Sequence, residues 1–181
     1  LAAKFRDDGF RMKSFHRLIV SSNTYRQAGY PNAKNLTPNP QDVDSDNRFL
    51  WKMNPRRLEA ESVRDAMLFV AGKMNDTMGG PSFEDVSIKG NNGTTYYEPI
   101  DTNDSRIFRR TVYRFNPRGG RSALLDTFDC PDPASTAPRR AVTTTPLQAL
   151  SLLNNSFVLR MSDYFAERIL ETAGDDIEKQ V

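Results

Sequence analysis

Arginine side chains interleaved with aromatic rings are the strongest candidate for chemistry in this sequence. The segment from Asp104 to Arg121 holds one acidic residue and six arginines: Arg106, Arg109, Arg110, Arg114, Arg118 and Arg121. Phe108, Tyr113 and Phe115 lie between them. Guanidinium groups pair with phosphate, sulfate or carboxylate, and aromatic rings stack on bases or sugars. The pattern predicts either a surface that binds an anionic ligand or internal ion pairs with the chain's 23 acidic residues, and we favour the internal pairs.

A second arginine cluster, Arg139 with Arg140, precedes three threonines at the start of a predicted helix. Free backbone amides, hydroxyls and guanidiniums can together hold an anion. The alternative is that these arginines pair with Asp129 and Asp132. From the two clusters, the predicted anion- or ligand-binding residues are Arg109, Arg110, Tyr113, Arg139, Arg140, Thr144 and Thr145.

The chain has one histidine, His16, and one cysteine, Cys130, the residue types most often used in nucleophilic catalysis. A single titratable group does not define a catalytic constellation, so we interpret His16 as a structural or packed side chain. Asp129 and Asp132 lie beside Cys130, and neighbouring carboxylates raise the pKa of a thiol. The sequence therefore predicts a packed thiol, and we assign no catalytic residues.

Residues 42–47 resemble the start of a calcium-binding loop, with oxygen ligands at alternate positions. However, Met53 stands where such a loop needs glutamate and Asn47 where it needs glycine, so we favour a solvated acidic loop that caps the next segment. One cysteine and one histidine are too few for a structural zinc site. The chain also lacks a Gly-rich phosphate loop, a dinucleotide fingerprint and a haem-attachment motif. We expect no metal and no cofactor in this chain.

The length and net charge of the chain limit the classes of protein to which it can belong. The 181 residues are enough to bury a core, and the net charge of +2 argues against a general nucleic-acid binder. No apolar run approaches the roughly 18 residues of a membrane span. Because the sequence begins at Leu1 without a methionine, we interpret it as a single domain, residues 1–181, from a longer protein.

Apolar spacing predicts a short amphipathic helix over residues 10–22 and a second helix over 55–71. Between them, the prolines and polar residues of 28–47 predict a long polar loop. Residues 82–102 mix β-formers with a turn around Asn92-Gly93, which is typical of a hairpin. The alternation in 106–116 predicts a further strand, so that 82–116 forms a β-containing insertion.

The strongest local signal is a helix start at Pro146. Thr145 stands at the N-cap, Pro146 at the first helical position and Gln148 at the third, as in a capping box. The apolar stripe continues to about residue 172, with a bend expected at Asn154-Asn155. We therefore expect a mainly α fold with a small antiparallel β insertion (α+β), whose helical core lies around the 55–71 and 146–172 helices.

Seven strings along the chain carry a resemblance to one family: Phe15-His16-Arg17-Leu18-Ile19-Val20, Asn47-Arg48-Phe49-Leu50-Trp51, Arg56-Arg57-Leu58-Glu59-Ala60-Glu61, Arg64-Asp65-Ala66-Met67, Met78-Gly79-Gly80-Pro81, Phe128-Asp129 with Pro131-Asp132, and Arg139-Arg140 through Thr144-Thr145-Pro146-Leu147-Gln148-Ala149-Leu150. Their order and spacing resemble the Planctomycete-type domain catalogued as domain of unknown function 1553. The resemblance implies the C-terminal module of a larger, exported bacterial protein that often carries a cytochrome c-like domain. It implies a periplasmic or extracellular location, with any haem in another domain, and no known reaction.

Two functions from different classes follow. In the first, the chain is a non-catalytic binding or assembly module that docks onto other domains of its parent protein and presents an arginine-aromatic surface to an anionic polysaccharide. In the second, it is part of a polysaccharide-active hydrolytic or oxidative enzyme whose site is completed by another domain. We prefer the first because the chain lacks a convincing nucleophile and base. We expect no specific nucleic-acid partner and no membrane span.

Overall fold

The structure, a computed structural model, describes residues 1–29 and 37–174, apart from the side chain of Asn91. The chain divides into two compact units, Leu1–Arg56 and Arg57–Val181. The architecture is mainly helical with one two-stranded antiparallel sheet, which confirms the predicted α+β class. No helix in the described part of the chain is long and apolar enough to cross a membrane.

The first unit contains three short helices: α1 (Ala2–Asp7), α2 (Met12–Val20) and α3 (Pro40–Val43). Helix α2 confirms the helix predicted over 10–22, and α1 was not predicted. Phe5 packs its ring against Phe10 and Phe15, with centroids 5.4 and 4.8 Å apart. Helix α3 is a single turn inside the segment predicted as a polar loop, of which residues 30–36 lie outside the described residues. The Asn39 side chain accepts the N–H of Gln41 and so caps this turn.

Polar side chains organise the end of the first unit. The Asp44 carboxylate accepts the backbone N–H groups of Arg48 at 2.9 Å and Phe49 at 2.7 Å. The Asn47 side chain donates to the Lys52 carbonyl at 2.8 Å and accepts the Lys52 N–H at 3.2 Å. Asn47 itself has a left-handed backbone, with φ of 56°. The acidic segment 42–47 therefore caps the residues that follow it, as its sequence predicts.

The second unit contains α4 (Ala60–Val70), β1 (Val86–Asn91), β2 (Thr94–Pro99), α5 (Ala123–Thr127), α6 (Pro146–Asn154) and α7 (Ser156–Ala173). The strands form the predicted hairpin, with Ile88 opposite Tyr97. Asn92 and Gly93 both have positive φ, as a two-residue hairpin turn requires. The Thr145 capping box is present at α6, and the predicted bend at residues 154–155 separates α6 from α7.

Two predicted elements differ from the structure. The helix predicted over 55–71 begins at Ala60, because the apolar residues take helical spacing only from there, and residues 55–59 lie outside it. The strand predicted over 106–116 is wrong: this segment forms two 3-10 turns, Ser105–Phe108 and Thr111–Tyr113. The Asp104 side chain caps the first turn by accepting the N–H of Arg106 at 2.9 Å. Only isolated bridges from residues 109 and 114 remain of the predicted strand pairing.

The core of the second unit lies between α4, α7 and the two 3-10 turns. Its cluster of buried apolar side chains is Leu68, Ala71, Phe83, Ile107, Phe108 and Met161. Ile107 and Phe108 of the first 3-10 turn lie in this cluster. The segment predicted as a strand therefore contributes to the core as a 3-10 turn. Helices α4 and α7 contribute side chains to this cluster, in agreement with the predicted helical core, whereas α6 contributes none.

Candidate functional site

A buried arginine, Arg64 of α4, is the centre of the polar network in the second unit. Its guanidinium donates to the carbonyls of Ile107 at 2.5 Å and Arg109 at 3.1 Å, and to the Thr111 hydroxyl at 3.1 Å. Its side chain is 5% exposed. Burial lowers the pKa of Arg64 to about 10, against the opposing effect of nearby carboxylates. The group is charged at neutral pH and fixes both 3-10 turns to α4.

Aromatic rings complete the surroundings of Arg64. The guanidinium carbon lies 5.2 Å from the ring centroid of Phe83 and 5.1 Å from that of Phe157. Cation–π contacts of this kind are stronger when the cation is shielded from water. An arginine-aromatic pairing is therefore found around an interior arginine that lies outside the 104–121 segment singled out in the sequence.

Asp65, the next residue of α4, binds Thr111 of the second 3-10 turn. Its carboxylate accepts the Thr111 N–H at 2.7 Å and the Thr111 hydroxyl at 2.6 Å. The Arg110 Nε lies 3.6 Å from the same carboxylate. Adjacent residues of one helix thus hold the second 3-10 turn through charge-assisted contacts, and the predicted binding residue Arg110 is drawn to an internal acid.

Arg114 forms a third contact between the segments. Its Nε donates to Asp85 at 2.8 Å, and its side chain is almost fully buried. Only one carboxylate oxygen of Asp85 takes part: Oδ2 binds Arg114, whereas Oδ1 is buried without a hydrogen-bond partner among the described residues. The ion pair therefore joins the end of the second 3-10 turn to the residue before β1.

The predicted binding residues Arg109 and Tyr113 come together, and both contact the exposed loop at residues 77–81. The Arg109 guanidinium lies 4.2 Å from the Tyr113 ring centroid. It donates to the carbonyls of Pro81 at 2.7 Å and Gly79 at 2.5 Å, and the Tyr113 hydroxyl accepts the Gly79 N–H at 3.0 Å. Together these two side chains hold the glycine-rich loop around residues 77–81.

Arg140 forms a bidentate ion pair with Glu61 of α4, with contacts of 2.6 and 2.8 Å. This hydrogen bonding lowers the pKa of Glu61 and raises that of Arg140. The Cys130 thiol lies 3.9 Å from the same carboxylate. Burial, and then the charge of Glu61, raises the pKa of Cys130. The pKa shift has the direction expected from neighbouring carboxylates, although Glu61 rather than a neighbour in sequence is the main acid responsible, and the half-buried Cys130 is only partly packed.

The start of α6 is occupied by side chains of its own unit. Arg57 donates to the Thr144 hydroxyl at 2.9 Å and to the Gln148 side-chain oxygen at 2.9 Å. Asp129 accepts the N–H of Thr143 at 2.7 Å, which lowers its pKa. Sequence reasoning missed Arg57, whose partners lie 87 and 91 positions away, and no local signal could have identified it.

The pairing proposed for Arg139 and Arg140 with Asp129 and Asp132 is wrong, because other groups occupy those acids. Asp129 binds Thr143, and Asp132 lies 3.2 Å from Arg121. Arg139 is exposed and, among the described residues, has no ion-pair or hydrogen-bond partner. Arg109 likewise has no acidic partner among the described residues, but its guanidinium donates to backbone carbonyls, whereas Arg139 makes no such contact.

Two cavities lie on either side of Arg114, which lines both. The acidic cavity, about 330 Å³, is lined by Glu59, Glu61, Asp65 and Arg110. Of the predicted residues, Arg110 lines this cavity and Arg140 binds its lining residue Glu61, whereas Arg109 and Tyr113 lie elsewhere. The second cavity has a volume of about 170 Å³ and is rich in arginine.

The described residues contain no group of three or more histidine, cysteine or acidic side chains placed to hold a metal ion. His16 is exposed on α2, so the packed position expected for it is wrong. The carboxylates of the acidic cavity are instead matched by guanidiniums. The arrangement is suited to holding segments together and to attracting charged groups.

A family model described as "PSD1: Protein of unknown function (DUF1553)" matches residues 1–181. The chain belongs to this family. No curated protein and no solved structure matches the chain. The strings by which its sequence resembles the family contain many of the partners in the polar network: Arg57, Glu61, Arg64, Asp65, Arg140 and Gln148. These family strings are therefore part of what holds the second unit together.

Proposed function

We propose that the chain is a non-catalytic assembly module that docks onto another domain of the same parent polypeptide. The observation that carries this proposal is the exposed leucine stripe of α6. Leu147, Leu150 and Leu153 are 61%, 54% and 70% exposed and recur every three residues on one side of the helix. Contiguous exposed apolar surface of this kind marks interaction sites in soluble proteins.

A second apolar surface adjoins α4 and α7. A groove of about 330 Å³ runs between these helices and is lined by Leu58, Val63, Met67, Val70, Val158, Met161 and Phe165, among others. In the second unit, sixteen large apolar side chains are exposed and eleven apolar side chains are buried, among the described residues. The groove and the leucine stripe would both be covered by a docked domain.

The family resemblance is the reason for the partner that we propose. The resemblance implies a larger exported protein in which this module accompanies a cytochrome c-like domain, so we propose a domain of the same polypeptide as the occupant. The location would then be periplasmic or extracellular, and any haem would belong to the partner domain. Intramolecular docking needs little surface because the covalent link supplies a high effective concentration.

The pKa values of the carboxyl groups favour this function over hydrolysis. A glycosidase needs a carboxylic acid whose pKa is raised so that it can protonate the leaving group. The carboxyl groups whose pKa values are shifted here are all shifted downward: Glu61, Asp101, Asp104 and Asp129. These four groups are stabilised as anions, which suits ion pairing rather than proton donation.

The docking proposal can be tested by hydrogen–deuterium exchange in the full-length parent protein and in the 181-residue chain. We expect the amides of α6 to exchange at least tenfold more slowly in the parent. Leu150→Gln in the parent should remove that protection, whereas Val142→Gln, at an exposed position outside the stripe, should keep it. Equal exchange of α6 in the two proteins, or protection that depends on the concentration of the isolated chain, would refute intramolecular docking.

We also propose, as the ligand-binding part of this function, that the module carries an anion-binding surface for an acidic polysaccharide. The supporting observation is that Arg118 and Arg139 are exposed and unmatched by acids among the described residues. Binding to a panel of sulfated and carboxylated polysaccharides should fall with rising salt and weaken in Arg139→Gln. Unchanged binding in that variant would show that this surface is not where the polysaccharide binds.

A further inference from the structure

We infer that the surface formed by α2 and the turn after it binds the headgroup region of an anionic lipid bilayer. This inference goes beyond the proposed function, because it concerns the first unit, whereas α6, Arg118 and Arg139 belong to the second. The surface lies in a basic segment, residues 9–29. From Gly9 to Gln41 the sequence holds five basic residues and no acidic one.

The cations of the basic segment are not used inside the first unit. Its lysine and arginines are exposed and lack an ion-pair or side-chain hydrogen-bond partner among the described residues: Arg11, Lys13, Arg17 and Arg26. The acids nearest to them in sequence are already paired. Asp7 lies 2.9 Å from Arg6. Asp8 lies 3.3 Å from Lys4. Positive charge concentrated in this way attracts an anionic surface.

Helix α2 is amphipathic. Met12, Phe15 and Ile19 recur at spacings of three and four residues and so share one side of the helix. Lys13 and Arg17 are four residues apart and lie on the opposite side. Apolar residues on one side and lysine or arginine on the other characterise helices that lie in the interface of a bilayer.

Apolar side chains in the basic segment are open to solvent. Phe10, Met12, Leu18 and Tyr25 are all exposed. In the described part of the first unit, no apolar residue reaches the buried class. These side chains are therefore not used for a core, and the boundary between headgroups and acyl chains would remove them from water.

The mixture of cations and aliphatic side chains favours a bilayer over an acidic polysaccharide. A polysaccharide supplies charge and hydroxyls but no apolar phase for Met12 and Leu18. Tyrosine is enriched at the headgroup level of membranes, where lysine and arginine extend their charged ends toward the phosphates. Each lysine or arginine close to an anionic membrane strengthens binding about fivefold.

The test is sedimentation of the 181-residue chain with lipid vesicles. One set of vesicles is phosphatidylcholine, and the other is equal parts of phosphatidylcholine and phosphatidylglycerol. We expect at least about tenfold tighter binding to the anionic vesicles, and weaker binding as the salt concentration rises. Equal binding to both sets, or no binding to either, would overturn the inference. Protection of α6 is measured in the parent protein without lipid, so the docking proposal succeeds or fails separately.

A pair of double variants locates the surface. Lys13→Gln with Arg17→Gln should weaken binding to the anionic vesicles at least about tenfold. The matched control, Arg48→Gln with Arg56→Gln, removes two exposed cations of the same unit outside the basic segment. It should bind within about twofold of the unsubstituted chain because of charge screening. Equal losses in the two double variants would show that binding follows total charge, and would overturn the inference.

Met12→Gln tests the apolar contact. Glutamine has a similar helix preference but does not favour the acyl region, so binding should fall at least about fivefold. Val43→Gln, at an exposed position of α3, should bind as the unsubstituted chain does. All the substituted positions are exposed, so the fold should be retained in every variant. Full binding in Met12→Gln would show a purely ionic surface, such as an acidic polysaccharide uses, and would overturn the bilayer as the occupant.

Discussion

The two units of this chain differ in what they bury. In the described part of the first unit, the buried residues are polar, Asp44 and Asn47, and no apolar residue reaches the buried class. The second unit buries eleven apolar residues together with charged groups such as Arg64 and Arg114. The first unit is therefore stabilised by polar side chains that hydrogen-bond to backbone groups. The second unit is stabilised by an apolar core that also contains charged side chains.

Because of this difference, we expect the two units to respond differently to the substitution of a buried residue. Regions with few buried apolar contacts open at low free energy, whereas regions around a core open only near global unfolding. Substitutions at Asp44 should act locally, and substitutions at Arg64 or Leu68 should act on the whole second unit. Single substitutions in each unit test this contrast.

Arg64→Ala should have the largest effect. It removes the donors that satisfy the Ile107 and Arg109 carbonyls and one of the two guanidiniums that lie near Asp65. Breaking a buried charge network from one side costs about 3–5 kcal/mol, which urea unfolding of the chain would measure. Arg139→Ala, at an exposed arginine, is the control and should leave the midpoint unchanged. A loss below about 1 kcal/mol would mean that Arg64 is not the centre of the second unit.

Leu68→Ala tests the apolar part of the same core. Leu68 is fully buried, and deleting such a side chain costs about 2–5 kcal/mol through lost transfer energy and the cavity left behind. Phe69→Ala removes a larger side chain at the next position, which is 70% exposed, and should cost under about 0.5 kcal/mol. Comparable losses in the two variants, measured by thermal or urea unfolding, would show that the solvent-exposed side of α4 is packed.

Asp44→Ala tests the first unit. The variant deprives the Arg48 and Phe49 amides of their acceptor, with an expected cost of about 1–3 kcal/mol confined to that unit. Hydrogen exchange should accelerate at these two amides and stay unchanged in α4. The control is Asp46→Ala, at an exposed acid in the same loop, which should leave both unaffected. Faster exchange throughout the second unit would break the contrast between the units.

The Glu61–Arg140 pair should give the smallest effect and a defined pH dependence. The pKa of Glu61 lies below its ordinary value of 4.5 in the folded chain because Arg140 binds its carboxylate. The pair therefore contributes above pH 4.5, and the contribution disappears as the pH falls through the folded pKa. Both side chains are about one-third exposed, so the contribution should stay under about 1 kcal/mol.

Glu61→Gln should make the free energy of unfolding less sensitive to pH in the acid range, as followed by urea unfolding at a series of pH values. Glu59→Gln is the matched control, because Glu59 lies 3.7 Å from Arg140 and is more exposed. If the pH dependence of Glu61→Gln equals that of the parent chain, the acid sensitivity of the second unit arises from other carboxylates.

The features that the sequence predicted correctly depend on neighbours in the chain. The capping box of Thr145 and Gln148 involves residues three apart, and the hairpin depends on the turn at residues 92–93. Both are determined by local backbone preferences. The strand over 106–116 was mispredicted because tertiary contacts from Arg64 and Asp65 override the alternation of these residues. The start of α4 was mispredicted because the apolar residues take helical spacing only from Ala60.

The candidate site was less predictable for the same reason. The sequence identified an excess of arginine and favoured internal pairs, and the structure contains such pairs at Arg114 with Asp85 and Arg140 with Glu61. The specific partners lie 29 and 79 positions apart, so no spacing rule could find them. The unmatched oxygen of Asp85 depends on the folded geometry alone.

The Arg64 network also limits how this chain could be redesigned. One guanidinium serves two carbonyls and a hydroxyl, and Asp65 serves the backbone and side chain of the same Thr111. Replacing any one of these three residues leaves its hydrogen-bond partners unsatisfied. In other proteins, buried ionic groups have been exchanged for apolar ones when all residues of the network were replaced together. A redesign of this network would therefore have to replace Arg64, Asp65 and Thr111 together, because each single change leaves a buried polar group without its partner.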